Sequence, residues 1–171
     1  MLTDNLNKVV RDLINEGLKI SNYAIKADQN APRPTGQYCA VKLFNTESIG
    51  NYDLIETPNA DDDTDIDHEY QFIKNYIFDL NLYRDNSQNK ANILANYFKT
   101  PIANNKSSEN GVKIISVNDV TNITEPLSSG YEFRSNIQLT ISIVDSYKLE
   151  KVGVIESLEI DNQVNNEKIE V

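Results

Sequence analysis

The chain has 171 residues, and its 16 Lys+Arg residues against 26 Asp+Glu give a formal net charge of −10 at pH 7. Such an acidic surface repels phosphate backbones, which argues against a protein that binds nucleic acid over its whole surface. The single cysteine, Cys39, excludes an intramolecular disulfide, and without a basic and apolar leader at the N-terminus the composition predicts a soluble intracellular protein.

The first predicted element is an amphipathic helix. Apolar residues recur at helical spacing between positions 6 and 14, behind a polar cap at Thr3 or Asp4. Gly17 is expected to end this helix, because glycine readily adopts the left-handed conformation that follows many helices. Residues 18–26 then begin to alternate between apolar and polar types, which predicts a short strand.

A loop with an arginine between two prolines follows this strand. Each proline fixes its own φ angle and pushes the residue before it toward an extended conformation, so Pro32 and Pro34 hold Arg33 on a stiff segment. We expect the guanidinium to bind a carboxylate or several backbone carbonyls, within the subunit or across an interface. A turn that only connects two strands is the alternative explanation.

Residues 38–44 predict the next strand, in which Cys39 acts as a small buried hydrophobe. Residues 52–56 are expected to pair with this strand across a turn at residues 46–50, because that segment holds the Ser, Gly and Asn typical of a connecting turn. Together the two strands would form a hairpin.

The segment at residues 61–67 carries carboxylates at alternate positions, as the opening of a calcium loop does. Counted from Asp63, however, the sixth and twelfth positions hold His68 and Lys74 in place of the required glycine and glutamate, which excludes an EF-hand. We expect a solvated acidic loop, with a cation site between subunits as the alternative. A hydrolase that uses two of these carboxylates is the least supported function.

Residues 66–84 alternate between apolar and polar types over an unusual length, which predicts a strand with one dry and one wet face. At about 3.4 Å per residue it would extend roughly 60 Å, so it is either an arm that reaches past its domain or a strand bent by a bulge near Lys74. His68 lies on the dry side while Asp67 and Glu69 point to the other face, so we expect a packed histidine and not a general base.

The rest of the chain predicts a helix, an edge strand and a second long strand. Residues 87–99 have an apolar face typical of a helix that lies on a sheet, and Pro101 blocks its continuation. A polar loop at residues 104–110 leads to an edge strand at residues 111–117. Residues 131–145 alternate like the first long strand and are expected to pair with it in antiparallel fashion at the centre of a sheet.

Residues 152–171 predict either a hairpin with its turn at Asn165 and Asn166 or a disordered end. The fold class is therefore α+β, a mixed and mostly antiparallel sheet flanked by the N-terminal helix and a second helix, in one domain that spans residues 1–171. The sequence has no glycine-rich phosphate loop, no zinc-binding motif and no nucleophile elbow, so we expect no enzyme, no metal site and no cofactor.

The order of these elements around the Pro-Arg-Pro segment resembles the phage neck or tail terminator family. Members of that family pass from an N-terminal helix through a short strand into an Asn-Gln or Gln-Asn, Pro-Arg-Pro, Tyr segment and then into a sheet, and here Gln29 and Asn30 precede residues 32–34. The resemblance extends to the long aromatic strand, the helix after it and the late strand at residues 133–135. The interface candidates that it implies are Pro32, Arg33, Pro34, Tyr38 and Arg134.

By this resemblance the chain is a structural virion protein, assembled in the host cytoplasm, that caps the tail tube or closes the neck and joins the head connector to the tail as a ring. The implied partners are further copies of the chain in a hexamer, the tail tube protein and a head completion or connector protein, with the tail sheath as a further candidate. No membrane and no sequence-specific nucleic acid contact is expected, and genome DNA would pass through the ring. The alternative is a soluble acidic binding module or assembly chaperone that forms no ring.

Overall fold

The computed structural model describes residues 2–58, 65–128, 130–153, 160–161 and 168–169. These residues form an α+β fold with a mixed, mostly antiparallel sheet and an N-terminal helix, as the sequence predicts. The helices are α1 (Leu2–Leu18), α2 (Ser87–Phe98) and α3 (Pro101–Ser108). The strands are β1 (Ala24–Lys26), β2 (Tyr38–Pro58), β3 (Asp65–Tyr83), β4 (Lys113–Val117), β5 (Thr121–Asn122), β6 (Glu125–Leu127), β7 (Gly130–Glu132), β8 (Arg134–Gly153), β9 (Ile160–Asp161) and β10 (Lys168–Ile169).

The chain divides into two compact units. Unit 1 comprises Met1–Ile49 and Ile73–Ile143, and unit 2 comprises Gly50–Phe72 and Val144–Val171. The single domain over residues 1–171 stays a prediction.

The main sheet has the strand order β1-β2-β3-β8-β4, and β5 also pairs with β8. β1 runs parallel to β2, with Ala24 opposite Cys39, whereas β4 and β5 run antiparallel to β8. In unit 1, Gln138 donates to Asp79 at 3.0 Å and Asn136 donates to Asn81 at 3.3 Å. Because the contact partners run in opposite directions along the two strands, β3 and β8 are antiparallel, as predicted.

The apolar faces of α1, α2 and the sheet form the core of unit 1. Their alternating or helically spaced apolar residues become inaccessible to water, and this burial is the main stabilising contribution. The largest side chains that are almost completely buried include Leu13, Ile14, Phe78, Leu80, Leu82, Leu94, Phe98, Ile137, Leu139 and Ile141.

The prediction that Gly17 ends the first helix is wrong. α1 continues to Leu18, and Lys19 takes the left-handed conformation with φ of 57°. A Cβ atom at position 17 would lie 2.6 Å from the Tyr97 ring, so glycine is needed here for the close approach of α1 to α2. The strand that follows is also shorter than predicted, since β1 begins only at Ala24.

The predicted hairpin at residues 38–56 is also wrong, because β2 is one continuous strand of 21 residues. The expected turn at residues 46–50 lies inside it, and Gly50 supplies a positive φ of 69° within the strand. β3 runs without interruption over 19 residues, which confirms the first long strand.

The polar loop predicted at residues 104–110 is mostly helical. Pro101 occupies the first turn of α3, where its missing N–H costs nothing, and the Thr100 hydroxyl accepts a hydrogen bond from the Ala103 N–H at 3.3 Å. The proline therefore ends α2 and also begins a new helix. The helix of residues 87–99 and the edge strand of residues 111–117 are confirmed as α2 and β4 with small shifts of their bounds.

The predicted strand at residues 131–145 is interrupted near its start. β7 pairs with β6 as a separate hairpin, and β8 begins at Arg134. Tyr131 and Phe133, expected on the dry face, are 71% and 50% exposed. The later apolar positions are buried as predicted: Ile137, Leu139, Ile141 and Ile143.

Unit 2 contains the other halves of the long strands. Tyr52 of β2 contacts the ring of Phe72, whereas Glu56 of the same strand contacts His68. The contact partners again run in opposite directions, so β2 and β3 are antiparallel. His68 Nε2 lies 3.4 Å from the Glu56 carboxylate and the imidazole is 17% exposed, which confirms a packed histidine.

The C-terminal prediction is partly covered by the described residues. Ile160 pairs with Ile169 and Asp161 with Lys168 in antiparallel register, in agreement with the hairpin alternative. The expected turn at Asn165 and Asn166 lies outside the described residues.

Candidate functional site

A half-buried tyrosine at the end of β3 brings the predicted interface residues together. The ring of Tyr38 stacks on that of Tyr83, with centroids 4.6 Å apart and planes 12° from parallel. The guanidinium carbons of Arg33 and Arg134 lie 4.9 Å and 5.0 Å from the centroid of the Tyr83 ring. Both distances allow cation–π attraction between the arginines and the ring.

Each arginine also pairs with a glutamate of the β6–β7 hairpin. Arg33 Nη2 lies 3.0 Å from Glu132 Oε1, and Arg134 Nη1 donates to Glu125 Oε1 at 3.4 Å. The Nε of Arg33 donates to the Tyr38 hydroxyl at 2.9 Å. The expectation that Arg33 binds a carboxylate is confirmed, with a partner in its own subunit.

The register of the hairpin explains why two arginines are needed. Glu125 and Glu132 are directly opposite each other on β6 and β7, and like charges in that position destabilise strand pairing. Each glutamate has its own arginine, so the formal charges of the four side chains cancel. We call these residues the arginine–tyrosine cluster: Arg33, Tyr38, Tyr83, Glu125, Glu132 and Arg134.

The pKa shifts of Arg33 and Tyr83 are both upward, which keeps the arginine charged and the tyrosine neutral. Burial by itself lowers the pKa of Arg33, but the contacts with Tyr38 and Glu132 outweigh it, so the net shift is upward. Burial also raises the pKa of Tyr83, and the two nearby arginines reduce that shift only in part. The guanidinium therefore stays charged and the Tyr83 phenol stays neutral at physiological pH.

A groove lies beside the cluster, with a volume of about 370 Å³. Pro32 and Pro34 line it together with Tyr38 and Tyr83, and Arg33 reaches into it. We call it the proline groove. Four of the five predicted candidates line this groove, and the fifth, Arg134, contacts Tyr83.

Sequence reasoning missed three residues of the cluster. Tyr83 is the last residue of a long strand and looks like any other aromatic strand residue. Glu125 and Glu132 belong to a hairpin that the alternating pattern merged with the following strand. The only available signal was a pair of glutamates on either side of a Ser-Ser-Gly turn.

The other chemical candidates remain unremarkable. Cys39 is completely buried, and burial raises the pKa of its thiol, so it is an unreactive core residue as predicted. In the parts of the chain that the structure describes, no group of three or more metal-ligating side chains occurs. Most of the acidic segment, residues 61–64, lies outside the described residues.

A family model for the phage neck terminator protein matches residues 4–168. The chain belongs to the phage neck terminator family. The resemblance drawn from the Pro-Arg-Pro segment is thus confirmed, although a comparison with curated proteins gives no match.

As a member of this family, the chain is a structural protein of the phage neck and a component of the virion. A protein of this family contacts other virion proteins. The structural nature of the family argues against an enzymatic role. None of the helices in the described part of the chain combines the length and hydropathy that a membrane span requires. Within the subunit, the arginine–tyrosine cluster ties the Pro-Arg-Pro segment to the β6–β7 hairpin through two ion pairs and two cation–π contacts.

Proposed function

We propose that identical copies of this chain form a ring in the phage neck, by family analogy a hexamer, that closes the neck or caps the tail tube. The ring would contact the tail tube protein on one side and a head completion or connector protein on the other. Family membership supports a structural role in the neck. The pairing pattern of the long strands supports assembly from identical copies.

The observation that carries this proposal concerns β2 and β8, the two strands that flank β3. Only a short part of each is paired with a strand on the side away from β3. β1 pairs with β2 only at residues 39–41, and β4 and β5 pair with β8 only between residues 135 and 142. β3 lies between β2 and β8 in the sheet. Among the described strands, none is hydrogen-bonded to the outer side of β2 or of β8 in unit 2.

Open strand edges present backbone donors and acceptors that readily pair with another chain. Among the described strands, none pairs with the outer side of β2 or of β8 in unit 2, so each copy offers two different edges on which a neighbouring copy could pair. A contact between two different edges is heterologous, and such a contact closes into a ring when the rotation between neighbours permits it. Since β2 and β8 both run antiparallel to β3, β8 of one copy would pair in parallel with β2 of the next.

Native mass spectrometry tests the ring directly. The purified protein is expected either as a discrete oligomer or as a monomer that assembles when the tail tube protein is added as a template. A protein that stays monomeric in both samples would contradict the ring and favour the soluble binding module or assembly chaperone.

Neighbouring proline substitutions test the edge contact. Successive N–H groups of a strand point to opposite sides, so one of Ser146→Pro and Tyr147→Pro removes an N–H directed at β3 and the other removes one directed at the open edge. The variant that keeps the wild-type melting temperature is the edge variant, and it should lose the oligomer. Assembly by that stable variant would show that the edge is not used.

A further inference from the structure

Arg84 differs from the other arginines of the chain in the partners of its side chain. Arg33 and Arg134 each pair with a glutamate. The Nε of Arg11 donates to the Asn7 carbonyl at 3.2 Å. The side chain of Arg84, in contrast, forms no hydrogen bond and no ion pair with the part of the chain that the structure describes. Its Nε atom is buried, and a buried donor without an acceptor destabilises a protein.

The backbone of Arg84 is held in a conformation that residues other than glycine seldom adopt. Its φ is 77°, in the left-handed region. The Arg84 N–H donates to the Phe133 carbonyl at 2.8 Å, and the Arg84 carbonyl accepts from the Ser87 N–H at 3.2 Å. Glycine would adopt this φ at lower cost, so folding alone gives no reason for an arginine here. Backbone strain that the surrounding structure enforces is concentrated at binding and switching sites.

Arg84 lines a pocket of about 360 Å³ in unit 1. This volume is at the lower end of the range of ligand pockets, roughly 300–1,000 Å³. The lining includes the polar side chains of Thr35 and Gln37 and the aromatic side chains of Tyr131 and Phe133. We call this cavity the Arg84 pocket.

The charges that line the Arg84 pocket leave its arginine without a counter-charge in contact. Glu132 also lines the pocket, but it is 6% exposed and pairs with Arg33 at 3.0 Å. Asp85 is exposed to water and forms no ion pair with Arg84 or with any other described residue. Of the described residues that line the pocket, only Arg84 carries a positive charge.

A carboxylate is the group that these features favour. The parallel N–H donors of a guanidinium match the two oxygens of a carboxylate. A carboxylate also carries a single negative charge, as the one unpaired arginine requires. A phosphate monoester carries nearly two negative charges, so it would be repelled more strongly by Asp85, by Glu132 and by the net charge of −10.

We infer that the Arg84 pocket binds a carboxylate of a neighbouring virion protein, and that Arg84 is the residue that contacts it. The carboxylate belongs to an acidic side chain or to a C-terminus, which present the same group. The Gln37 side-chain carbonyl accepts from Lys90, so the Gln37 amide N–H groups are available as further donors. Members of the family contact other virion proteins. The inference holds whether or not identical copies form a ring.

Nuclear magnetic resonance of the purified full chain tests the pocket with two small probes. N-acetylglutamate N-methylamide carries a side-chain carboxylate, whereas N-acetylglycine carries a terminal one. At constant ionic strength we expect a saturable shift of the Arg84 Nε–H signal, while the Nε–H signal of Arg33, which already has its partners, stays unchanged. The probe that binds more tightly identifies which kind of carboxylate the pocket prefers.

Arg84→Gly is the decisive variant. It removes the guanidinium at a φ that glycine adopts readily, so the variant should fold with a melting temperature close to that of the wild type. We expect it to bind the preferred probe about tenfold more weakly, followed through the backbone N–H signals of Gly36 and Phe133. Arg84→Lys keeps the charge without the parallel donors and should be intermediate. Arg11→Met, which removes an arginine outside the pocket, is the matched control with unchanged binding.

The inference is overturned if neither probe gives a saturable shift, or if sodium chloride alone reproduces the shift. Equal affinities of the wild type and Arg84→Gly would overturn it as well, and so would an equal loss of binding with Arg11→Met. Tighter binding of inorganic phosphate than of both probes would contradict a carboxylate as the ligand. Failure to find a ring by native mass spectrometry would leave this result unaffected, because the probes bind to a single subunit.

Discussion

Tyr83 shows how one residue can organise contacts between segments that are far apart in the chain. Its ring is contacted by Tyr38 and Arg33 from the N-terminal part and by Arg134 from the start of β8. None of these contacts is strong by itself, since a partly exposed cation–π contact contributes about 0.5–1 kcal/mol. Their combined effect is to fix the Pro-Arg-Pro segment against the hairpin.

Removing the Arg33 side chain should destabilise the protein measurably. Glu132 is only 6% exposed, so Arg33→Ala leaves a buried carboxylate without its cation. Because Arg33 itself is more than half exposed, we expect a loss of about 1–2 kcal/mol in the free energy of unfolding, measured by urea denaturation.

Arg33→Lys is the matched control for this substitution. Lysine keeps the charge but cannot donate to Glu132 and Tyr38 at once from a rigid planar group, so its effect should be intermediate. If Arg33→Ala changes neither stability nor assembly, the loop is only a turn.

The close approach at Gly17 leads to a second prediction at this scale. Helix propensity alone would make Gly17→Ala stabilising by about 1 kcal/mol. The added methyl group would instead meet the Tyr97 ring and also approach Leu94 at 3.1 Å, so we expect a net destabilisation of about 1–3 kcal/mol. Thermal denaturation measures it.

The Tyr97→Ala background provides the control for Gly17. Removing the ring takes away the two closest contacts and leaves only the one with Leu94, so Gly17→Ala should cost clearly less in this background. An equal cost in both backgrounds would mean that the glycine is needed for another reason.

At the scale of single elements, α3 depends on its N-terminal cap. Thr100→Ala removes the oxygen that accepts from the Ala103 N–H and should cost about 1 kcal/mol, measured by chemical denaturation. Thr100→Ser keeps the oxygen and should cost much less. Equal losses for both variants would mean that the methyl group matters and the cap does not.

The elements also show where sequence patterns fail. Thr100 and Pro101 can mark the start of a helix as well as the end of one. Because Pro101 is interpreted from the sequence only as the end of the preceding helix, the polar segment after it is predicted as a loop. The turn-like composition at residues 46–50 was equally misleading, because a long strand tolerates Ser, Asn and Gly where its outer faces are exposed to water. Local composition does not report whether a neighbouring strand continues alongside.

At the scale of the whole molecule, the acidic balance predicts how the protein behaves toward DNA. With a formal net charge of −10, the isolated protein should show no appreciable binding to duplex DNA even at low salt, where attraction is least screened. Polar strand positions such as Asp67, Glu69 and Asp79 suit a ring whose inner surface is neutral or negative. A weakly repulsive wall of this kind lets a polyanion pass.

Fluorescence anisotropy of a labelled duplex tests this prediction. A basic protein of similar size serves as the positive control at the same ionic strength. Tight, salt-sensitive binding would show that the basic residues are gathered on one surface, and it would indicate active handling of DNA.

The sequence alone determined the fold class, β3 and the first part of β8 among the three long strands, the helices α1 and α2, and the family. These features follow from periodic patterns of apolar residues and from one distinctive segment, and such patterns are local to the chain. It also singled out Arg33, because two prolines constrain its backbone wherever the loop lies.

Only the tertiary structure decided which distant segments meet. Arg33 and Glu132 lie far apart in the sequence, and nothing in either local pattern marks the other as its partner. The same holds for Gly17 and Tyr97. From the sequence Gly17 was expected to end a helix, whereas in the structure it lets α1 pack closely against Tyr97 of α2. Periodicity specifies which face of an element is buried, whereas the identity of what covers that face depends on packing of the whole chain.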